Sequence, residues 1–351
     1  MSLYSILTIK SVVKETEDAV TLIFDNSGRR IKALPGQFLT LIIPVNGETH
    51  RRSYSLCSYS GVDSDLAVTV KRVLHGKVSN YLIDHCKEGD QIEVMEPMGA
   101  FTIQTGDHNK RDVVLIGAGS GITPLMAIAK AVLSEEPLSN LYLLYGNRDE
   151  RSVIFSAQLK AMKEVHGDRF TLINVFSQPK GEVRHVGRLN RSLILKLLES
   201  LPVWSPERSE FFICGPKGMM EEALEALQIL KIDAEKIHKE SFLSSNPSTI
   251  SGKVVEDQPD GPKTVTILYQ GSEYKVMVPV ERSILEAALD NDIDLPFSCQ
   301  SGMCTACMGR CTSGKVHLDD PDGLSQKEID QGFVLTCVGR PVSDNVVIEI
   351  D

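Results

Sequence analysis

Short runs of alternating apolar and polar residues dominate the first third of the chain. Such runs occupy residues 21–24, 38–43, 66–70 and 91–94, and Gly, Asn, Asp and Pro separate them. Alternation with a period of two turns one face of each segment toward a core, which is typical of half-buried β-strands. Several short strands with turn residues between them predict a small antiparallel β-barrel over residues 1–107.

The pattern changes between residues 108 and 245. Continuous apolar segments at residues 113–116, 141–145, 170–175 and 211–214 alternate with helix-like periodicity after Ile122, Val153, Leu189 and Gly218. Apolar strands that alternate with helices form parallel sheets with helices on both faces. We therefore predict an α/β domain with a parallel sheet for this segment.

A third domain is predicted beyond a linker. Residues 246–262 are rich in Ser, Pro, Gly and Asp and lack periodicity, which is a linker composition. Residues 263–351 begin with two alternating segments on either side of Gln270-Gly271, a pattern that predicts a β-hairpin. Two capping boxes, Ser283–Glu286 and Ser325–Glu328, predict the starts of two short helices.

Length and composition agree with a multidomain globular protein. The chain has 351 residues, of which 42% are hydrophobic, and a typical domain has about 150 residues. The longest uncharged stretch, residues 113–129, contains three glycines and a proline, so it does not predict a membrane span. Five of the eight cysteines lie within the last 53 residues, which favours a local thiolate site in a reducing compartment. We expect a soluble, cytoplasmic protein without a secretory signal.

Negative charge is concentrated in the last third of the chain. Residues 246–351 contain 8 Lys and Arg against 17 Asp and Glu, whereas the formal charge of the whole chain is -10. Such an acidic segment argues against nucleic acid as a partner and favours a protein with a basic docking surface. Within it, Asp319, Asp320 and Asp322 fall together in one turn and are expected to form an acidic rim toward that partner. The simpler alternative is an acidic surface that only keeps the protein soluble.

Four cysteines near the C-terminus have the spacing of an iron–sulfur site. Cys299, Cys304 and Cys307 stand as C-x4-C-x2-C, and Cys337 follows after 29 residues. This is the plant-type 2Fe-2S spacing, in which three thiolates come from one loop and the fourth from a distant element. A zinc knuckle and a redox-active Cys304/Cys307 dithiol are the alternatives, but neither suits β-rich surroundings. We predict that the four cysteines are the metal ligands and that residues 263–351 resemble the β-grasp fold of plant-type ferredoxins. Cys311, four residues after Cys307, is expected to be a buried bystander.

Two segments of the first domain resemble flavin-binding motifs. Arg52-Ser53-Tyr54-Ser55 is expected at the end of an apolar strand and resembles the R-x-Y-S motif of the ferredoxin-NADP reductase superfamily. The segment around Lys71 and Gly76–Ser79 resembles the second flavin segment of that family. A Tyr ring can stack on isoalloxazine, a Ser hydroxyl can bind flavin N5, and Arg can pair with phosphate. The second segment resembles relatives that bind FAD, so FAD is expected rather than FMN. The predicted flavin-binding residues are Arg52, Tyr54, Ser55, Val70, Lys71, Gly76, Lys77, Val78 and Ser79.

Two segments of the second domain suggest a nicotinamide site. The turn Gly117-Ala118-Gly119-Ser120-Gly121 follows a buried strand and precedes a helix, so its amides can bind a pyrophosphate. Cys214-Gly215-Pro216 ends a later strand, and both segments resemble the nicotinamide site of the same superfamily. Arg148 and Arg151 can pair with a 2'-phosphate, although Asp149 and Glu150 between them favour NADH. The predicted nucleotide-binding residues are Gly117, Gly119, Gly121, Thr123, Arg148, Arg151, Cys214, Gly215 and Pro216.

The order of these motifs implies a reductase. By resemblance to the superfamily, Ser55, Cys214 and Phe242 are expected to be catalytic: Cys214 lies near nicotinamide C4, and Phe242 covers one flavin face. Residues 145–148 and 151–155 are similar to reductases of the phenylacetyl-CoA epoxidase and ketosteroid hydroxylase types. The leading hypothesis is an enzyme that passes electrons from NAD(P)H through FAD and a 2Fe-2S cluster to an oxygenase. A reductase that serves a non-oxygenase metalloprotein and a redox-sensing module are the alternatives.

Overall fold

The first sheet is antiparallel and closes on itself. The computed structural model of the chain describes residues 4–28, 31–242, 261–297, 299–300, 302, 304–319, 321 and 323–350. The first sheet has the strand order β4-β3-β6-β1-β2-β5, and a bridge between Leu56 and Val68 joins its two edge strands. Its elements are β1 (Tyr4–Thr16), β2 (Ala19–Phe24), β3 (Phe38–Val45), β4 (Glu48–Ser55), β5 (Leu66–Lys71), α1 (Lys77–His85) and β6 (Gln91–Met98). The predicted barrel is confirmed.

The second sheet is parallel throughout, with the strand order β11-β10-β7-β8-β9. One apolar cluster, which includes Ile122 and Phe212, and another, which includes Ile116 and Ile194, form its two cores. Its elements are β7 (Asp112–Ala118), α2 (Ile122–Glu135), β8 (Asn140–Asn147), α3 (Ser156–His166), β9 (Phe170–Phe176), α4 (Arg191–Glu199), β10 (Ser209–Cys214), α5 (Lys217–Ile229) and β11 (Ile237–Glu240). Alternating strands and helices thus produced the predicted α/β fold.

The barrel and the parallel sheet belong to one compact unit. It contains the described residues up to Pro97 together with Phe101–Phe242, and the described residues from Gly261 onward belong to a second unit. Within the first unit, the amide of Phe155 donates to the Glu15 carboxylate at 3.2 Å. This contact joins β1 of the barrel to the segment that precedes α3.

The second unit has a mixed sheet of five strands in the order β13-β12-β18-β14-β16, with β15 and β17 paired beside it. Both capping boxes are present, at Ser283 and Ser325, and the apolar core includes Ile267 and Leu285. The elements are β12 (Lys263–Tyr269), β13 (Ser272–Val278), α6 (Ile284–Asp290), β14 (Met308–Ser313), β15 (Val316–Leu318), α7 (Gln326–Asp330), β16 (Phe333–Leu335), β17 (Gly339–Pro341) and β18 (Val346–Ile350).

Two details differ from the sequence-based expectations. The strand that carries the first flavin motif, β4, is mostly exposed or half-buried, so it is a polar strand and not an apolar one. The α5 helix begins one residue before Gly218. Residues 246–260 of the predicted linker lie outside the described residues. Among the described residues, no helix is both long enough and apolar enough to cross a membrane.

Candidate functional site

The first flavin motif lies at the end of β4. Arg52 is exposed, Tyr54 is half-buried and Ser55 is buried. The hydroxyls of Thr40, on β3, and Ser53 are 3.2 Å apart, so a polar contact links the two strands beside the motif. Burial raises the pKa of the Tyr54 phenol, which keeps this ring neutral. The strand therefore presents a cation, an aromatic ring and a hydroxyl within four consecutive residues.

The second flavin segment runs from the end of β5 to the first turn of α1. Val70 is buried, and Lys71 lies at the end of β5 with its Nζ 4.0 Å from the Asp18 carboxylate. Gly76 precedes α1, and the buried Ser79 hydroxyl accepts a hydrogen bond from the amide of Val73 at 3.1 Å. This bond holds the loop against the helix, whose first amides have no partner within the helix itself.

Lys77 and Val78 begin α1 but face different surroundings. Val78 is buried in the barrel core, whereas Lys77 is exposed and pairs with Glu48 at 3.1 Å. Val78 therefore anchors the helix, while Lys77 remains at the surface. Of these two residues, only Lys77 has a polar side chain that can meet a ligand.

The glycine-rich turn of the nicotinamide motif is closely packed. Gly117 lies on β7, and residues 119–121 form a single 3-10 turn that leads into α2. Gly119 has a φ of 57°, which favours glycine. A Cβ on Gly121 would overlap the backbone carbonyl of Cys214, so this position also requires glycine. The hydroxyl of Thr123 donates to the carbonyl of Ser120 at 3.0 Å and stabilises the start of the helix.

Cys214 is the last residue of β10, which lies between β7 and β11 in the parallel sheet. In the parallel register it lies opposite Gly117 of β7 on one side and Glu240 of β11 on the other. Its side chain is fully buried, and burial, followed by the charge of Glu240, raises the pKa of its thiol well above the usual value. Cys214 is therefore a neutral thiol beneath the surface. Gly215 and Pro216 follow it, and Pro216 precedes α5.

A buried hydrogen bond links the flavin motif to the nicotinamide sheet. The hydroxyl of Ser55 donates to the Glu240 carboxylate at 3.3 Å, and the side chains of both residues are buried. Since Cys214 and Glu240 lie side by side on neighbouring strands, three polar groups from β4, β10 and β11 come together. Glu240 is not among the residues that the sequence motifs select. A carboxylate at the end of a strand was visible, but its proximity to Ser55 depends on the fold.

The remaining predicted residues of this unit are more exposed. Phe242 follows β11 and its side chain is 44% exposed. Arg148 and Arg151 are exposed after β8, and Arg148 Nε is 3.6 Å from Asp149. The structure therefore brings Ser55 and Cys214 together through Glu240, whereas Phe242 stays at the surface. A covering role for Phe242 remains a prediction.

Four of the five cysteines of the second unit contact one another. Among the described residues, no three or more His, Cys, Asp or Glu side chains form a group that could hold a metal ion as they stand. Hydrogen bonding to Cys299 raises the pKa of Cys304, and hydrogen bonding to Cys299 and Cys307 raises that of Cys337. Hydrogen bonding to Cys337 lowers the pKa of Cys307. The contacts thus join Cys299 with both Cys304 and Cys337, and Cys337 also with Cys307.

Local backbone geometry supports this arrangement of thiols. Gly302 has a φ of 73° within the loop between the first two cysteines, and its carbonyl accepts from the amide of Gly323 at 2.6 Å. The hydroxyl of Thr336 donates to the carbonyl of Cys307 at 3.1 Å, which ties the fourth cysteine's segment to the third. Cys311 was expected to be a buried bystander, but it is partly exposed and donates to the carbonyl of Ser313 at 3.2 Å.

Comparison with known proteins assigns a function class to each region. Residues 6–103 match the family described as oxidoreductase FAD-binding domain. Residues 115–225 match the oxidoreductase NAD-binding domain, and residues 267–342 match the 2Fe-2S iron-sulfur cluster binding domain. The predicted cofactors and their order along the chain are thereby confirmed.

Two curated relatives are similar to this chain over almost their whole length. The chain is 38% identical to the ferredoxin reductase component of 3-ketosteroid-9-alpha-monooxygenase from Mycobacterium tuberculosis, over 98% of this chain and 95% of that protein. It is 35% identical to one of the components of 1,2-phenylacetyl-CoA epoxidase from Escherichia coli, over 100% of this chain and 99% of that protein. Relatives of both types were expected from the motifs.

A solved structure shows the same architecture. Phthalate dioxygenase reductase, described as a modular structure for electron transfer from pyridine nucleotides to [2Fe-2S], superimposes with a TM-score of 0.60 and 25% identity. The match covers 99% of this chain and 98% of that one. The chain therefore belongs to the family of oxidoreductases that join an FAD-binding, an NAD-binding and a 2Fe-2S domain in one polypeptide.

Proposed function

We propose that this reductase passes electrons from NAD(P)H to an oxygenase component. The observation that carries the proposal is the buried contact of Ser55 with Glu240, beside Cys214, because it joins the flavin motif to the nicotinamide motif. Bound FAD would supply the chemistry that links two-electron hydride transfer from the nicotinamide to single-electron transfer toward the 2Fe-2S cluster. The same polypeptide thus contains the groups needed for two-electron uptake and one-electron delivery.

The residues of the first unit divide into binding and positioning groups. Arg52 and the amides at the start of α1 suit the FAD phosphates, and Tyr54 and Ser55 suit the flavin ring. The amides of the Gly117–Gly121 turn, at the carboxyl edge of the parallel sheet, suit the nucleotide pyrophosphate. Glu240 accepts the Ser55 hydroxyl hydrogen and so determines where that oxygen points. Cys214 packs beneath the site and limits how closely the nicotinamide can approach.

The four cysteines suit a 2Fe-2S cluster chemically. Four thiols that contact one another match two irons that each take two sulfur ligands. We assign Cys299 and Cys304 to one iron and Cys307 and Cys337 to the other.

We also propose that the first two domains end at residues 107 and 245 and that the linker ends at residue 262.

The acidic charge of residues 246–351 suggests a partner with a basic docking surface. This segment has 17 acidic and 8 basic residues, and opposite charge accelerates protein association. Among the three Asp residues predicted to form an acidic rim, Asp319 already pairs with Arg340 at 2.8 Å and with His317 at 3.2 Å. Asp320 and Asp322 lie outside the described residues. Electrostatic steering of the partner protein therefore depends on the charge of the whole segment more than on Asp319.

An oxygenase of the phenylacetyl-CoA epoxidase type is one proposed acceptor. The 35% identity over the full length of that relative supports it, and the 38% identity to the ketosteroid reductase supports a steroid oxygenase equally well. We also propose that the protein is located in the cytoplasm, because a thiolate-ligated cluster and free cysteines suit a reducing compartment.

Reconstitution tests this function directly. Purified holoprotein should contain about one flavin and two irons per chain, and FAD should be the flavin released by heat. Together with NAD(P)H, it should support turnover of an added oxygenase component of either type. Dye reduction without turnover by either oxygenase, but with reduction of another metalloprotein, would show that the acceptor is not an oxygenase. Failure to reduce any acceptor would contradict the proposal as a whole.

A further inference from the structure

A buried tyrosine contacts the glycine-rich turn of the nicotinamide motif. Tyr145 lies on β8, opposite Gly117 of β7 in the parallel register. Its side chain is fully buried, and its hydroxyl donates a hydrogen bond to the carbonyl of Gly119 at 3.0 Å. Tyr145 is not among the residues predicted to bind a cofactor, because a tyrosine within an apolar strand is usually a core residue. Its hydroxyl nevertheless ends at the backbone of the turn.

The surroundings of the Tyr145 oxygen direct its proton toward Gly119. Burial raises the pKa of the phenol, so the hydroxyl keeps its proton. The side-chain amide of Asn147 and the backbone amide of Ile154 act on this pKa in the opposite direction, as N–H groups beside a phenol oxygen do. Because these two neighbours offer N–H groups to the oxygen, its own proton is left for the carbonyl of Gly119.

The carbonyl of Gly119 therefore has two donors. The amide of Ile122, at the start of α2, also donates to this oxygen, and a carbonyl oxygen has two lone pairs. The peptide between Gly119 and Ser120 is trans, and a trans peptide directs its carbonyl and its N–H in opposite directions. The amide of Ser120 consequently points away from the buried phenol of Tyr145.

The same peptide could easily reverse without this support. Gly119 has a φ of 57°, and glycine moves between positive and negative φ at little cost. A reversed peptide would turn its carbonyl oxygen outward, at a turn whose amides suit a pyrophosphate. Amides attract phosphate oxygens, whereas a carbonyl oxygen repels them. The hydrogen bond from Tyr145 opposes this reversal, because reversal would leave the buried hydroxyl without its acceptor.

We propose that Tyr145 is a positioning residue for nucleotide binding: its hydroxyl locks the Gly119–Ser120 peptide, so that the Ser120 amide remains a donor for the pyrophosphate of NAD(P)H. Tyr145 acts through the backbone of the turn and needs no contact with the nucleotide. This inference rests on the proposed function of the nicotinamide site.

Removal of a single oxygen atom tests this role in the holoprotein. Tyr145→Phe should weaken the binding of ADP-ribose, measured by calorimetry, about three- to tenfold, which is the equivalent of one neutral hydrogen bond. Tyr142→Phe is the matched control, because Tyr142 is also buried on β8 and its hydroxyl donates to the carbonyl of Pro202 at 2.6 Å. Both variants should melt at slightly lower temperature, but only Tyr145→Phe should bind ADP-ribose more weakly.

Stopped-flow reduction of the flavin separates binding from hydride transfer. In Tyr145→Phe, the apparent Kd should rise by the same factor for NADH and for NADPH, because both contain the pyrophosphate. The limiting rate at saturating nucleotide should stay close to that of the unmodified protein. A general loosening of the fold would instead lower the limiting rate and the flavin content.

Gly119→Ala provides a second route to the same peptide. The new methyl group has room, since its nearest neighbour beyond the adjacent residues is Lys71 Nζ at 3.7 Å. Alanine disfavours a φ of 57°, however, so the turn should leave this conformation. We expect a similar loss of ADP-ribose affinity and little further loss in the double variant with Tyr145→Phe, because both changes release one peptide.

Unchanged affinity in Tyr145→Phe, or equal losses in Tyr145→Phe and Tyr142→Phe, would overturn the inference. Fully additive losses in the double variant would also overturn it, because the two changes would then act on different features. If Tyr145→Phe does not fold, unchanged affinity in Gly119→Ala overturns the inference and a loss of affinity supports it.

The proposed function can fail separately from this inference. An unmodified holoprotein that does not bind ADP-ribose would refute the nicotinamide site and the inference together. A selective loss of affinity in Tyr145→Phe, in a protein that reduces no acceptor, would refute the proposed function and support the role of Tyr145.

Discussion

Cys214 and three cysteines of the second unit, Cys304, Cys307 and Cys337, occupy buried sites with very different neighbours. Cys214 is fully buried beside a carboxylate, and its pKa is raised by burial first and by Glu240 second. Cys304, Cys307 and Cys337 are also buried, but hydrogen bonds to other thiols change their pKa values. A lone thiol in the first environment keeps its proton, whereas clustered thiols lose theirs to solvent when they bind iron as thiolates.

This difference separates two kinds of electron chemistry within one chain. The Cys214 environment has no second sulfur in its sheet register, only Gly117 and Glu240, so it suits the positioning of a hydride donor. The paired thiols suit one-electron transfer through iron. The neighbours of a cysteine, and not the presence of a thiol alone, therefore determine which electron chemistry it suits.

The largest effect should come from breaking a thiol pair. Cys304→Ser should abolish cluster binding and electron delivery to an oxygenase, because one of four ligands is lost. NAD(P)H-dependent ferricyanide reduction and flavin content should persist, since the flavin and nicotinamide motifs lie in the other unit. Iron analysis and visible spectra measure the loss. Cys311→Ser, at a partly exposed cysteine outside the pairs, is the control and should keep its iron.

A smaller effect is expected from substitutions at Glu240 and Ser55, beside the proposed site of hydride transfer. Glu240→Gln should lower kcat for dye reduction about 10- to 100-fold, because a hydrogen bond to a charged group contributes about 1.5–3 kcal/mol. The KM for nucleotide should change much less, and iron content should not change. Ser55→Ala should have a similar effect on kcat and on its pH profile if the two residues act as a pair. Glu235→Gln, at an exposed residue just before β11, is the matched control; a normal kcat in both test variants would refute the positioning role.

The packing beneath Cys214 should also be sensitive. Gly121→Ala places a methyl group against the Cys214 carbonyl, and such overpacking costs about 1–3 kcal/mol of unfolding free energy. Denaturant unfolding followed by flavin fluorescence should report this loss. Gly218→Ala has open space around its new methyl group and lies in α5, so it should be neutral or slightly stabilising. Equal stability of the two variants would contradict this prediction and would show that the turn shifts to accommodate the methyl group.

The smallest effect should come from the acidic residues near the cluster. Replacing Asp319, Asp320 and Asp322 by Asn should slow electron transfer to the oxygenase a fewfold at low salt, and the difference should shrink near 0.15 M, where the Debye length is about 8 Å. Asp319→Asn alone should have a smaller effect, because Asp319 already pairs with Arg340. Stopped-flow rates measure both. Reduction of the flavin by NAD(P)H is the internal control; a partner rate insensitive to salt and to these changes would refute electrostatic steering.

Much of the fold could be predicted because its patterns are local. The apolar runs of the parallel sheet, the start of α2 and both capping boxes were visible in the sequence. Polar strands were harder to recognise: β4 is largely exposed and β15 has only three residues, so neither has a clear apolar period. Burial in those strands depends on neighbours that are distant in sequence.

The sequence by itself determined the order of the three domains and the four-cysteine spacing, because such motifs depend on short-range chain geometry. Only the tertiary structure decided that Ser55 meets Glu240, 185 residues away in the chain. It also decided that Asp149 and Glu150 accept hydrogen bonds from backbone amides. The physical reason is that hydrogen-bond partners and burial are properties of packed elements, and packing unites residues whose separation along the chain carries no local pattern.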